Sequence, residues 1–225
     1  DFSGYSDIAI GVSKLFGVEL MSNFKFPYLS RNIAEFWRRW HISLSTWFRD
    51  YLYIPIGGSK GSRVITLRNI FVIFVVSGFW HGANWTFILW GGIHALLFIP
   101  LYLTNSNRST HGTVIAEATS LPTLREIFQL LTTFVLVTIA WIFFRAESIS
   151  HAFDYIAHMS FESPAYKTYL LYPLVLFLLE YPMRKNERKP FSKIPTLLYL
   201  LAFSFAILFF RHHDIGNIEF IYFQF

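Results

Sequence analysis

Two apolar runs, Val64–Trp80 and Trp85–Leu103, meet at a polar break of four residues, His81-Gly82-Ala83-Asn84. Each run is close to the ~20 residues that a helix needs to span the hydrocarbon core of a bilayer. Inside lipid every backbone polar group must be satisfied within the chain, so runs of this length without strand-like alternation can only be helices. Leu124–Phe144 is a third such run, and Tyr169–Tyr181, interrupted by Pro173, and Ile194–Phe210 follow. The break between the first two runs is then the feature to explain. A ring nitrogen held between two spans costs free energy unless it is paired or wetted, which makes His81 a functional candidate. A connecting loop at the membrane surface, with His81 merely capping a helix, is the alternative.

Composition agrees with lipid as the solvent. Only 15% of the 225 residues are charged and 54% are hydrophobic, whereas soluble domains carry about a quarter charged residues. The 26 Phe, 12 Tyr and 7 Trp supply material for aromatic belts at both interfaces. The net charge of +5 does not point to nucleic acid, because Lys and Arg cluster in the loops between apolar runs. The absence of cysteine excludes disulfides, a thiolate metal site, a cysteine nucleophile and palmitoylation within this sequence. Asp1 opens on what reads as helix interior, so residues 1–225 are expected to be one membrane domain forming the C-terminal portion of a longer protein. The fold expected is all-α, a polytopic membrane helix bundle with one re-entrant or interfacial amphipathic helix.

Phe2–Leu20 has apolar residues at helical spacing, with Asp7, Lys14 and Glu19 on other faces, as in a helix packed within a bundle. Pro27 interrupts the chain, and Ser30 or Asn32 can cap the helix that follows. That helix, Ile33–Tyr53, is the amphipathic one. At about 100° per residue, Trp37, Trp40, Leu44, Phe48 and Tyr51 share a stripe, with Arg38, His41, Ser45 and Arg49 opposite. Such a helix lies in an interface or enters and leaves on one side, since Arg38, Arg39 and Arg49 at mid-bilayer would cost about 2.5–3.5 kcal/mol each. A surface helix with a solvated His41 is the plainer alternative. His94, inside the second apolar run, must face protein or water, as a packed histidine or as part of a polar path. A polar connection, Ser148–Lys167, is expected to hold a short helix around His151–Met159.

Counting loops alternately, ten Lys and Arg fall on one side (Lys60, Arg63, Arg68, Arg108, Arg125, Arg184, Lys185, Arg188, Lys189, Lys193) and three on the other (Arg145, Lys167, Arg211). The positive-inside rule makes the richer side cytoplasmic. The His81 break then approaches from outside and Ile33–Tyr53 from the cytoplasm, so that His41 and His81 can meet.

No His-Glu-x-x-His, no carboxylate at ligand spacing from His41 or His81, no Gly-x-Ser-x-Gly and no P-loop frame occur. His212-His213-Asp214 is a poor metal site, because adjacent side chains point apart; no metal is expected. What remains is a histidine as general base, its ordinary pKa of about 6.5 suiting it to take a proton from a hydroxyl at neutral pH. Trp80, Trp85 and Trp90 are placed to keep water from such a site, and a hydroxyl deprotonated beside an activated acyl group gives acyl transfer.

DFSGYSDIAIG, FWRRWHISLSTWFRDYLYIPIGG and SGFWHGANWTFILWGGIH resemble the membrane-bound O-acyltransferase family, and within it the proteins that O-acetylate exported polysaccharides such as alginate. The likeness runs from Asp1 to about His94; beyond it, WIFFRAES and the aromatic tail agree. It implies a ring of spans around a thinned centre, with a tunnel admitting the acyl donor from the cytoplasmic side. It implies that His81 matches the catalytic histidine and His41 the second functional one. Arg38, Ser45, Arg49, Trp80, Asn84 and His94 are the remaining candidates for the substrate path. The implied co-substrate is an acyl thioester, acetyl-CoA or an acyl carrier, with no bound cofactor. The implied partners are membrane lipid, a polysaccharide acceptor and an extracytoplasmic acetylation protein, in a bacterial inner membrane, with no nucleic acid. A D-alanyl transferase acting on teichoic acid, or a non-enzymatic transport or assembly subunit, are the rival readings.

Overall fold

The computed structural model describes residues 2–107 and 121–159, with isolated positions at 177, 180, 181, 184 and 204. The spans expected at Tyr169–Tyr181 and Ile194–Phe210, the His212-His213-Asp214 cluster and the aromatic tail lie outside the described residues, apart from those isolated positions. Among the described residues the chain forms helices and no strand. In order they are α1 (Phe2–Leu15), α2 (Ile33–Arg39), α3 (Ile42–Phe48), α4 (Arg63–His81), α5 (Trp85–Leu103), α6 (Leu124–Arg145) and α7 (Ile149–Ala157).

Three of these, α4, α5 and α6, are long and apolar enough to cross a membrane. Each starts where the sequence supplies a cap. Ser62 accepts from the Ile65 amide, Asn84 from the Thr86 amide, and Thr123 forms a reciprocal capping box with Glu126. α4 and α5 form a tight hairpin because glycines let their backbones touch. A Cβ on Gly78 would lie 2.2 Å from the Phe87 carbonyl oxygen, and one on Gly91 would lie 2.3 Å from that of Phe74. α6 returns antiparallel to α5. Trp141 and Phe144 pack on Trp90 near the start of α5, while Phe128 and Thr132 line one groove with Leu97 and Leu101 near its end. The bundle thus has two ends. Lys60, Arg63, Arg68 and Arg125 mark a basic end, and the His81 break, Arg145 and α7 mark the other.

The segment Ile33–Tyr53 differs from the single helix expected. α2 stops at Arg39, His41 takes a left-handed conformation (φ +45°), and α3 begins at Ile42 and closes with a π-helical turn, Arg49–Tyr53. The reason is a better set of partners for the backbone. The Ile42 amide donates to the Asn23 carbonyl (3.0 Å) rather than continuing α2, and the Asn23 side chain accepts from the Ser43 amide and hydroxyl (3.1 and 2.6 Å). Asn23 therefore caps α3 from a distance. A second clasp joins Lys25 to Arg39, with the Lys25 amide donating to the Arg39 carbonyl at 3.0 Å and the Arg39 guanidinium donating to the Lys25 carbonyl at 2.9 Å.

Both limbs of this short hairpin rest at the basic end. Arg31, just before α2, pairs with Glu35 and with Glu126 in the first turn of α6 (2.6 and 3.2 Å). Beyond α3, Asn69 of α4 donates to the Ile56 and Gly58 carbonyls (3.3 and 2.9 Å). The hairpin enters the bundle, turns at His41 and leaves on the side where it entered. Its register explains a second departure. Trp40 packs on Trp141 while Tyr51 is exposed, so the uninterrupted Trp37-to-Tyr51 stripe does not exist.

α1 is shorter than the expected Phe2–Leu20. It ends in a Schellman motif, with Gly17 left-handed (φ +73°), Val18 donating to Ser13 and Gly17 to Lys14. It is also less enclosed than expected, since Tyr5, Ile8, Val12 and Leu15 are exposed among the described residues. The buried core lies elsewhere, in two aromatic clusters that share Trp37 and Trp141. One is centred on Trp90, Ala140, Phe143 and Ala152, the other on Ile33, Phe36 and Val137. The tip of the short hairpin is packed into this core.

Candidate active site

His81 is the last residue of α4, where Gly82 lets the chain turn close against the Phe87 ring. A Cβ at Gly82 would sit 2.6 Å from that ring. The imidazole, half-buried, is walled by aromatic rings on several sides: Phe144 at 4.9 Å, Trp80 at 5.0 Å and Trp90 at 5.4 Å between centroids. Among the described residues its ring nitrogens are held by packing rather than by a hydrogen-bond partner. A base in this setting keeps a free lone pair for a substrate hydroxyl.

His41 occupies the tip of the re-entrant hairpin. Its ring lies 6.4 Å from Trp80 and 6.4 Å from Phe24. The structure thus brings the two histidines beside one indole, the Trp80 ring centroid lying 6.4 Å from that of His41 and 5.0 Å from that of His81. Burial lowers the His41 pKa from 6.5 to about 4, so the ring is neutral at neutral pH. The left-handed backbone at this half-buried, polar tip is the kind of feature that the surrounding clasps at Asn23 and Lys25 must enforce.

A cavity of about 570 Å³ lies between the short hairpin and α4. Its outer part carries Tyr53, Ser59, Tyr102 and Asn107, at the basic end; its inner part carries Trp37, Ile42, Phe74 and Ser77. Ser77 is one helical turn before His81, and Ile42 follows His41, so the cavity stops just short of both rings. Three sequence-predicted residues, Arg38, Ser45 and Arg49, line it together. They do so although α2 and α3 are separate helices, because the turn at His41 folds both limbs around the same space. Arg38 donates to the Asn107 carbonyl (2.9 Å), and burial lowers its pKa. Arg49 pairs with Asp50 at 2.7 Å on the exposed rim.

The other predicted residues lie apart from this cavity. Asn84 caps α5 and donates to the Glu147 carbonyl at 3.2 Å, tying the His81 break to the start of α7. His94 is fully buried between α2, α4 and α5. Trp85 is exposed, while Trp90 is buried beside His81. Asn23 and Ser77 were not legible as site residues, since Asn23 acts on a turn 20 residues away and Ser77 is one small residue in an apolar run. No three side chains of metal-ligating type converge among the described residues.

A short re-entrant hairpin and a spanning hairpin thus place two histidines beside one indole, with a cavity that reaches the basic end between them. Residues 1–113 match the MBOAT model, the membrane-bound O-acyltransferase family. The chain belongs to that family, and with three apolar helices of spanning length it is an integral membrane protein. It is 46% identical over 159 residues to a probable alginate O-acetylase AlgI of Azotobacter vinelandii, covering 71% of this chain and 30% of that protein. It is 42% identical over 153 residues to a peptidoglycan O-acetyltransferase of Helicobacter pylori, covering 68% of this chain and 27% of that protein. A teichoic acid D-alanyltransferase of Bacillus subtilis is 38% identical over 104 residues, covering 43% of this chain and 26% of that protein. The chain thus spans under a third of the length of the curated relatives it matches.

Proposed function

We propose that the protein containing this chain is a membrane O-acetyltransferase. It takes an acetyl group from a cytoplasmic thioester, acetyl-CoA or an acyl carrier, and delivers it towards an exported polysaccharide in a bacterial inner membrane. The observation that carries the proposal is the cavity that runs from the basic end to within one helical turn of His81. Its rim of Arg38, Arg49, Tyr53 and Ser59 suits the polar, anionic body of a thioester donor, and its apolar inner end suits the acyl group. The positive-inside bias supports a cytoplasmic position for this rim.

In the reaction so read, His81 takes the proton of an acceptor hydroxyl approaching from the opposite side. The oxygen attacks the thioester carbonyl, a C–O bond forms, the C–S bond breaks, and the proton passes to the departing thiolate. His41, neutral and also beside Trp80, orients donor or acceptor without competing for the proton. The Trp90 and Phe144 rings keep water from one side of the base, which limits hydrolysis of the thioester. The acceptor hydroxyl belongs either to a sugar or to a partner protein that completes the transfer outside. D-alanyl transfer is the nearest rival. The O-acetylation reading is favoured because similarity to the O-acetylase covers 71% of the chain, against 43% for the D-alanyltransferase.

The test is a transfer assay on the intact protein in proteoliposomes. Radiolabelled acetyl-CoA, acetyl-carrier and D-alanyl-carrier are supplied to one face, and label is followed on polysaccharide, teichoic acid and protein. Acetyl transfer dependent on His81 is expected. D-alanyl transfer would replace this reading with its rival, and the absence of any transfer would favour a transport or assembly subunit.

A further inference from the structure

The reaction proposed above leaves one buried histidine unused. His94 has no exposed surface. Its ring is stacked between Phe36 of α2 (6.4 Å, 2° between planes) and Phe74 of α4 (6.3 Å, 21°), with Trp90 edge-on at 4.8 Å. Its Nδ1 accepts a hydrogen bond from Trp37 Nε1 at 3.3 Å. An indole nitrogen only donates, so Nδ1 must be bare and the neutral ring carries its proton on Nε2. That Nε2 is buried with no hydrogen-bond partner among the described residues. A buried donor without a partner is costly, and phenylalanine would fill the same stack without that cost. What the histidine adds is the acceptor for Trp37.

Trp37 is the residue through which this bond reaches the site. It stands four residues before His41, forms part of the inner cavity wall, and packs on Phe74 and Trp90. Packing alone would let α2 slide or rotate slightly against α5, because stacked apolar rings resist separation more than sliding. A directional bond fixes both depth and rotation. We propose that His94 is a positioning residue. Its bond to Trp37 sets where the short hairpin stops inside the bundle, and so where His41 and the inner cavity wall stand relative to His81. This inference rests on the acyl-transfer reading for its effect on rate, though not for its effect on the hairpin.

Three variants of the intact protein test it. His94→Phe keeps the stack and removes the acceptor, Trp37→Phe removes the donor, and His94→Asn places an amide oxygen near the Nδ1 position. Each phenylalanine variant is expected to lower kcat about ten- to a hundred-fold, the range a displacement of about 1 Å can cause. The double variant is expected to be no slower than the slower single variant, and His94→Asn to recover most of the rate. KM for the donor should change less than kcat, because the polar rim is untouched. A purely structural role predicts the reverse: lowered thermal stability at unchanged kcat, which would overturn the proposal. Multiplicative losses in the double variant would overturn it as well. A second arm does not depend on activity. In a cysteine-free background, Ser45→Cys reports maleimide access to the cavity, and His94→Phe should raise its labelling rate while His94→Asn should not. Equal rates in all three backgrounds refute the positioning role even if wild-type protein transfers no acyl group. If His94→Phe does not fold, Trp37→Phe is compared in both arms with the same criteria.

Discussion

Two helical hairpins in this protein each carry a histidine at the tip, and they hold it by opposite means. The α4–α5 hairpin is apolar throughout. Its limbs touch at Gly78 and Gly91, and His81 is fixed by rings packed around it. The α2–α3 hairpin is short and charged, and its tip is fixed by hydrogen bonds that Asn23 accepts from Ile42 and Ser43 and that the Lys25 amide donates to the Arg39 carbonyl, on a backbone that would otherwise be unsatisfied. The difference follows from where each hairpin can obtain stability. A span of about 20 residues surrounded by lipid satisfies its own backbone and needs only close packing. Helices of seven residues leave most of their terminal amides and carbonyls unpaired and must borrow partners. The proposed base thus stands on the self-sufficient hairpin and the orienting histidine on the dependent one.

The largest effect expected from this contrast is at His81. His81→Gln keeps the size and hydrogen-bonding capacity of the side chain but cannot take up a proton. In the intact protein it should slow transfer about 10²- to 10⁴-fold with unchanged abundance and melting temperature in detergent. Turnover near the wild-type rate would make His81 a packing residue and remove the proposed mechanism.

Next comes the packing of the spanning hairpin itself. Gly78→Ala places a Cβ against a backbone carbonyl that cannot swing aside, so α4 and α5 must part. Overpacking of this kind costs about 1–3 kcal/mol. A clear fall in melting temperature is expected, and no change would mean the two helices separate at little cost.

The dependent hairpin is tested by Asn23→Ala. It strips the cap from α3 and leaves the Ser43 amide unpaired, a loss of about 1–2 kcal/mol by analogy with other capping residues. Proteolysis or hydrogen exchange should show opening confined to residues 41–58, with α4 and α5 protected. Uniform destabilisation would show that the two hairpins fold as one unit.

The smallest effect expected is a pH dependence from His41. Its pKa is lowered by burial to about 4 in the folded protein, against 6.5 for an unshielded ring. The unfolded chain therefore binds more protons below pH 6.5, so the contribution of His41 to stability is full above 6.5, declines as pH falls, and levels off near 4. His41→Gln should flatten this part of the stability profile. An unchanged profile would place His41 in water.

The helical class, the three spans among the described residues and the cap at Asn32 were legible in the sequence, because each depends on near neighbours: run length, a polar break, a residue three places before an amide. His41 and His81 stood out for the same local reason, as polar residues set in apolar or aromatic stretches. Arg38, Ser45 and Arg49 share one helical stripe in the sequence, yet they face one cavity for another reason, since the stripe is broken at His41 and the two limbs close around the space. That break could not be read from Ile33–Tyr53, whose periodicity is good throughout. It depends on Asn23 and Lys25, whose hydrogen bonds compete with helix continuation only after the chain has folded back. The extra length assigned to α1 had a local cause, the Gly17 turn. Among the described residues, the sequence by itself determined which segments are helical and which of them can enter lipid, because those properties follow from side chains a few residues apart. Only the tertiary structure decided where the short hairpin turns, which ring each histidine meets and where the cavity ends, because these depend on hydrogen bonds and ring contacts between residues far apart in the chain.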